Sequence, residues 1–385
     1  MPIYLDYNAT APLRPEALAR MQEILAFPAN PSSVHSFGRA AKRHLEAARK
    51  TIADAIGAWP NEIVFTASGT EANAMALSGF PGRRVLVSAV EHSSVLSFSP
   101  RERMPSGARR VGAGQPDAPS PVTSSGIVDL SALDRLLAGG GPALVSVMLA
   151  NNETGIIQPI KEVSELTKKY GALLHCDAAQ GFGKIPVDFG VLGCDLMTLA
   201  AHKCGGPVGA AALVVRRDLP VLPPLTGGGQ ESGRRAGTEN VAAIAGFARA
   251  VELFDFRHMK ALRGWLDEME AEISSPGMGQ AGGGMVFGKS VSRLPNTSCI
   301  AMPGVSNEVQ LMDFDLNGFA VSAGSACSSG RIEPSHVLAA MGVPEASSRS
   351  AIRISGGRQT TEQDITSFTE AWKRMYQRLS RRHAG

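Results

Sequence analysis

Between residues 61 and 215, short apolar runs alternate with helix-like stretches, and this alternation constrains the fold more than any other feature. "EIVFTA" precedes "SGTEANAMALSG", "RRVLVSAV" precedes "EHSSVLSF", and "KEVSELTKKY" precedes "ALLHCDAA". The series continues through "LMTLAAHK" and "GAAALVV". It predicts a mostly parallel α/β sheet covered by helices. An alanine-rich helix is expected at residues 36–57, ended by Gly57. After a helical stretch near 239–255 the pattern changes. "RLPNTSCIAMP" and "GFAVSAG" read as strands, and a last helix opens at "TTEQD". In that helix Ile365, Phe368, Trp372, Met375 and Leu379 step by three and four onto one face, and Thr361 with Asp364 resembles a capping box. The expected organisation is a large α/β domain over residues 15–250 and a smaller α+β domain made of residues 1–14 and 251–385, with an exposed excursion at 101–126.

A chain of 385 residues is long enough for two such cores. Its net charge of +3 gives no reason to expect nucleic acid or a membrane as partner. The apolar runs are too short for a transmembrane helix, and the amino terminus carries no secretory pattern. Five cysteines form no CxxC pair, and their odd number argues against a disulfide framework. The expected setting is a reduced cytoplasm, in which the sequons at Asn8, Asn152 and Asn296 are chance matches.

Two glycine-rich matches fail on context. "GGMVFGKS" (283–290) fits a P-loop by letter, and "GMGQAG" (277–282) fits GxGxxG, yet neither follows a strand and opens a helix.

Four stretches fall at strand ends, where open α/β sheets place their ligands. In "FTASGTEANA", Gly69 permits close approach, and Thr70 with the helix amides can hold an anion, or Thr70 can simply cap the helix. In "LLHCDAAQ", Asp177 ends a strand and Gln180 follows three residues later; the carboxylate suits a helix cap or a pyridinium partner. In "LAAHKCGGPVG", Lys203 follows an apolar run, and desolvation there would make it a nucleophilic amine. In "RRVLVSAVEHSS" a strand is expected to end at His92, a capping residue or a ring-stacking acid–base. An aspartate and a lysine 26 residues apart on successive strand ends, after an anion-holding turn, together suit pyridoxal 5'-phosphate.

The motifs "YLDYNATAP", "NPSSVHSFG", "FTASGTEAN", "EHSS", "NNETG", "HCDAAQ", "HKCGGPVG", "GGGQESGRRAGTEN", "SAGSACSSGRIEPSH" and "AIRISGG" occur in this order. In order and spacing the chain resembles cysteine desulfurases of the NifS/IscS type, from about residue 3 to 375. The resemblance implies a fold-type-I, class V aminotransferase scaffold and a homodimer binding pyridoxal 5'-phosphate. It implies that Lys203 is the Schiff-base lysine, that Asp177 pairs with the ring nitrogen, that Gln180 bonds the ring hydroxyl, and that His92 stacks on the ring. Gly69, Thr70 and His202 would hold the phosphate, with Thr238 reaching it from a second subunit. Asn152 and Arg353 would bind the substrate carboxylate. Ala200 departs from the pattern, standing where many relatives carry a phosphate-binding serine.

The resemblance also explains why Cys327 stands alone in a Gly/Ser-rich run, "SAGSACSSGRIEPSH" (322–336). A thiol that takes sulfur from L-cysteine as a persulfide, and then presents it to an acceptor such as an iron–sulfur scaffold, needs such a tether. A selenocysteine lyase or a small-amino-acid transaminase on the same scaffold is the alternative. Cys176 and Cys204 read as small buried residues.

Overall fold

The computed structural model describes residues 2–98, 119–276, 283–326 and 332–380. Cys327, the "GMGQAG" match and residues 101–118 of the expected excursion lie outside the described residues.

Six strands form the larger sheet, in the order Ile63–Thr66, Ala211–Val215, Leu196–Ala200, Leu173–Asp177, Ala143–Ser146, Arg84–Val87. The last four run parallel, and Ala211–Val215 is antiparallel to both its neighbours. Continuous apolar segments such as "AALVV" and "IVFT" form these strands because both faces of the sheet are covered. Successive residues point to opposite faces. Ile63, Phe65, Met197 and Leu199 join one apolar cluster with Leu45, Ile52, Val163 and Phe247. Val64, Leu196 and Leu213 join the other, with Ala72 and Met75 of the Gly69–Ser78 helix. The result is a helix–sheet–helix sandwich, mostly parallel as expected.

A second sheet of four antiparallel strands orders Ser322–Ala323, Ala351–Ser355, Thr297–Ala301, Met285–Val286. The "MVF" of the rejected P-loop match therefore contributes a strand, Met285–Val286, to a sheet edge. Two long helices pack on this sheet, beside the shorter Asn307–Leu316. Glu362–Ser380 buries Ile365, Phe368, Trp372 and Met375, the face read from the sequence, while Leu379 is only partly buried. Its capping box is reciprocal: the Thr361 amide donates to Asp364 Oδ2 at 2.8 Å, and the Asp364 amide donates to Thr361 Oγ1 at 3.2 Å. The other helix, Phe256–Ile273, was not anticipated. Its buried Leu262, Leu266, Met269 and Ile273 are spaced by four, three and four, but charged residues fill the gaps and dilute the signal.

The chain's first residues belong with this second sheet. Ile3–Tyr4 pairs with Phe319–Ala320, and Asp6 bridges to Ser355. Among the described residues, no helix is long and apolar enough to cross a membrane.

Trp372 is fully buried against Tyr376, ring centroids 5.1 Å apart, at the centre of the second core. Trp372→Ala is expected to cost about 3–5 kcal/mol of stability, read as a lowered urea midpoint. A shift under about 1 kcal/mol would mean that this core does not support the fold as described.

Candidate active site

The parallel strands end on one side of the larger sheet, and Asp177, Gln180, His202 and Lys203 lie at or just past those ends. The Leu196–Ala200 strand runs into a single tight turn, Ala201–Lys203. Gly205 (φ +89°) then takes a left-handed conformation closed to most residues, which reverses the chain toward Ala211–Val215. This turn directs Lys203 at the chain's first segment: its Nζ donates to the carbonyls of Asn8 (2.7 Å) and Ala9 (2.9 Å). Burial lowers the Lys203 pKa to about 8; the Arg353 charge adds to this, and Asp177 and Asp6 oppose it.

Asp177 is the last residue of its strand and is buried. Its Oδ1 accepts from the Ala179 amide at 3.0 Å and its Oδ2 from Asn73 Nδ2 at 2.8 Å. Asn73 also donates to Ser94 Oγ (2.9 Å), which lies 2.8 Å from His92 Nδ1. His92, Ser94, Asn73 and Asp177 thus form one hydrogen-bonded chain. His92 does not end a strand, as expected, because the strand stops at Val87. His92 instead caps the short Ser93–Leu96 helix, its Nδ1 accepting from the Ser94 amide at 3.2 Å. With Nδ1 an acceptor, the ring proton sits on Nε2. Burial lowers the His92 pKa, helped by Lys203 and His336 and opposed by Asp177.

At the head of the Gly69–Ser78 helix the cap is Ser68, whose Oγ accepts from the Glu71 amide, and not Thr70. Thr70 is exposed in the first turn. A Cβ placed on Gly69 would meet the Ala200 methyl at 3.5 Å, ordinary contact, so this helix start faces the end of the Lys203 strand. His202 Nδ1 lies 3.3 Å from Thr10 Oγ1. Burial and the nearby Lys203 and Lys184 lower its pKa to about 4, so its ring is neutral at physiological pH. Thr238 is exposed on the turn before the Val241–Val251 helix, and no hydrogen bond among the described residues joins it to the others.

Arg353 lies in the middle of the Ala351–Ser355 strand of the other sheet, with 5 % of its surface exposed. Its Nη1 donates to the Asn152 carbonyl at 2.9 Å and its Nη2 to Asp6 Oδ1 at 2.6 Å, while its buried Nε has no partner. Gln180 is committed at both ends of its amide: Nε2 donates to the Asn8 carbonyl (2.9 Å) and Oε1 accepts from Lys184 Nζ (2.5 Å).

Three participants were missed by sequence reading. Asn8 joins Lys203, Gln180, Lys184, Asn152 and Asn296. The signal was present, since the three sequon asparagines converge here, with Asn8 and Asn296 each 1 % exposed. Asn73 stands in the quoted "GTEAN" and supports Asp177. Lys184, seven residues after Asp177, is buried with amide oxygens as its partners.

The four described cysteines, Cys176, Cys194, Cys204 and Cys299, are all buried. Burial raises the Cys204 pKa to about 12 and also pushes up Cys299. Contact with Cys194 raises Cys176. As protonated thiols, Cys176, Cys204 and Cys299 are poor nucleophiles. The strands Ser325–Ala326 and Ile332–Glu333 pair on either side of residues 327–331. Next to them, Ser335 Oγ donates to Glu153 Oε2.

This donor set can hold an aromatic aldehyde cofactor. It offers a partly buried amine brought down to about 8, a buried carboxylate with one bond to each oxygen, and a neutral imidazole.

Residues 3–368 match the aminotransferase class-V family. A cysteine desulfurase of Cereibacter sphaeroides is 41% identical over 96% of this chain and 94% of its own length. The protein named cysteine desulfurase IscS in Dictyoglomus turgidum is 39% identical over 98% of this chain and 95% of its own. The solved structure of a NifS-like protein from Rickettsia africae superposes with a TM-score of 0.87 at 36% identity, covering 98% of this chain and 99% of that one. With motif order, fold and strand-end site all in agreement, the chain belongs to the aminotransferase class-V family.

Proposed function

We propose that this protein is a pyridoxal 5'-phosphate-dependent cysteine desulfurase. It converts L-cysteine to L-alanine, leaves a persulfide on Cys327 and passes that sulfur to an acceptor protein. The observation that carries the reading is the Lys203 amine, held by the Asn8 and Ala9 carbonyls and brought to about 8 by burial, with the charges of Arg353 and Asp177 acting on it. Relatives covering nearly the whole chain and named for this activity support it.

In this reading Lys203 bonds the cofactor, Asp177 faces its ring nitrogen, His92 stacks on the ring and Gln180 uses a remaining N–H for the ring oxygen. Gly69, Thr70 and His202 hold the phosphate, and the exposed Thr238 completes that site from a second copy in a homodimer. When bound, pyridoxal phosphate supplies an electron sink for the charge left as a substrate α-proton departs. The chain's own groups do the rest. Arg353 and Asn152 take the substrate carboxylate, the planar guanidinium giving it a fixed orientation. The Lys203 Nζ takes and returns the proton, because near its pKa the amine is available in both forms. Asn73 and the Ala179 amide keep the Asp177 carboxylate in place.

The sulfur step balances as a displacement. The Cys327 thiolate attacks the substrate sulfur, the new S–S bond forms and the substrate C–S bond breaks. The electron pair stays on carbon, which takes a proton and leaves as alanine. A free thiol is required, so the reading includes a reduced, cytoplasmic setting.

Purified protein incubated with L-cysteine and a thiol reductant should yield alanine and sulfide in equal amounts. Cys327→Ala should keep the cofactor colour and lose sulfide production. Turnover that depends on pyruvate and gives no sulfide would replace the proposal with a transaminase. Cofactor-free protein should develop colour with pyridoxal 5'-phosphate at a rate that rises with pH through a midpoint near 8, since the free amine reacts. A midpoint at the ordinary lysine value, about 10.4, would show that Lys203 is not desolvated as described.

A further inference from the structure

Lys184 lies behind Gln180 and is only 5 % exposed. The positive charges acting on it are those of Lys203 and Arg353, with only Cys204 opposing, and burial with these charges holds its pKa well below the ordinary lysine range. Its Nζ donates to two amide oxygens, Gln180 Oε1 at 2.5 Å and Asn8 Oδ1 at 2.7 Å. A neutral amine has two N–H bonds, so these two acceptors satisfy it without a counter-charge.

Both oxygens belong to residues that serve Lys203. The main-chain carbonyl of Asn8 accepts from Lys203 Nζ (2.7 Å) and from Gln180 Nε2 (2.9 Å). While Lys184 holds Oε1, the Gln180 amide has one orientation, with its NH2 toward that carbonyl. A flipped amide would set two acceptor oxygens against each other.

We propose that Lys184 is a positioning residue for the reacting amine of Lys203: by fixing the amides of Gln180 and Asn8, it makes Lys203 share the Asn8 carbonyl with Gln180. This rests on Lys203 being the cofactor-bearing lysine. A shared carbonyl binds an ammonium less tightly than an unshared one, so sharing favours the free amine. Without Lys184, Gln180 is released and the carbonyl falls to Lys203 alone, which favours the protonated form. The other charged or titratable groups near Lys203 are Asp6, Asp177, Arg353, His92, His202 and Cys204; the substitution replaces none of them, and of these His202 and Cys204 lose Lys184 as a neighbour.

The test follows colour development as cofactor-free protein meets pyridoxal 5'-phosphate, between about pH 6 and 10. In Lys184→Met the midpoint should rise by about one unit, making uptake at neutral pH about tenfold slower. Lys184→Gln, which keeps a donor, should recover part of the shift. Gln180→Ala should raise the midpoint by itself, and adding Lys184→Met to it should change little further, because both act through one carbonyl. Lys184→Met and Gln180→Ala proteins that melt earlier but keep the parent midpoint would reduce Lys184 to a structural filler and overturn the proposal. Gln180→Ala also decides the matter should Lys184→Met not fold. A parent protein that develops no colour would sink the functional reading and this proposal together, whereas a coloured parent with unmoved variants sinks only this one.

Discussion

One buried asparagine fixes the site to both sheets. The Asn8 carbonyl accepts from Lys203 and Gln180, its Oδ1 accepts from Lys184 and Asn296, its Nδ2 donates to the Asn152 carbonyl and Thr297 Oγ1, and its amide donates to Ser355 Oγ. Lys203 stands at the end of the larger sheet, and Ser355 and Thr297 belong to the smaller one. The spacing between the Lys203 amine and the Arg353 guanidinium is therefore governed by a residue that is neither acid nor base. Buried polar groups tolerate few losses, because each abandoned partner keeps its desolvation cost. The short N-terminal strand, paired with Phe319–Ala320, brings this residue to its place.

Burial also sorts the nucleophiles. Removing water penalises charge, so it turns an ammonium into a free amine and keeps a thiol protonated. Lys203 and Cys204 are chain neighbours under the same influence, one brought down to about 8 and the other pushed up to about 12. The same desolvation makes the lysine reactive and the cysteine inert. A chain that needs both an activated amine and an activated thiol cannot keep the two in one dry pocket. In the proposed reaction the sulfur nucleophile, Cys327, stands on a separate Gly/Ser-rich segment, which answers that conflict.

Much of this was legible in the sequence, because strands buried on both faces are written as plain apolar runs and their ends as Asp177 and Lys203. The face of the last helix was legible for the same reason. What escaped has physical causes. The Phe256–Ile273 helix hides its core stripe among charges. His92 lies five residues past its strand, because turns shift positions that hydropathy cannot count. The supports Asn73 and Lys184 act through contacts distant in sequence, and no local pattern encodes those; the Ser68 cap, only three residues from Glu71, was a local signal passed over in favour of Thr70. The roles of Thr70 and Thr238 rest on the resemblance, since each is exposed here.

The convergence of the three sequons has a practical consequence. Asn8 and Asn296 are sealed in the folded chain, but oligosaccharide transfer in a secretory compartment acts on the nascent chain, before such packing exists. A glycan on either residue would occupy the space that joins the two sheets. Production of this protein through a eukaryotic secretory route would thus compete directly with its folding.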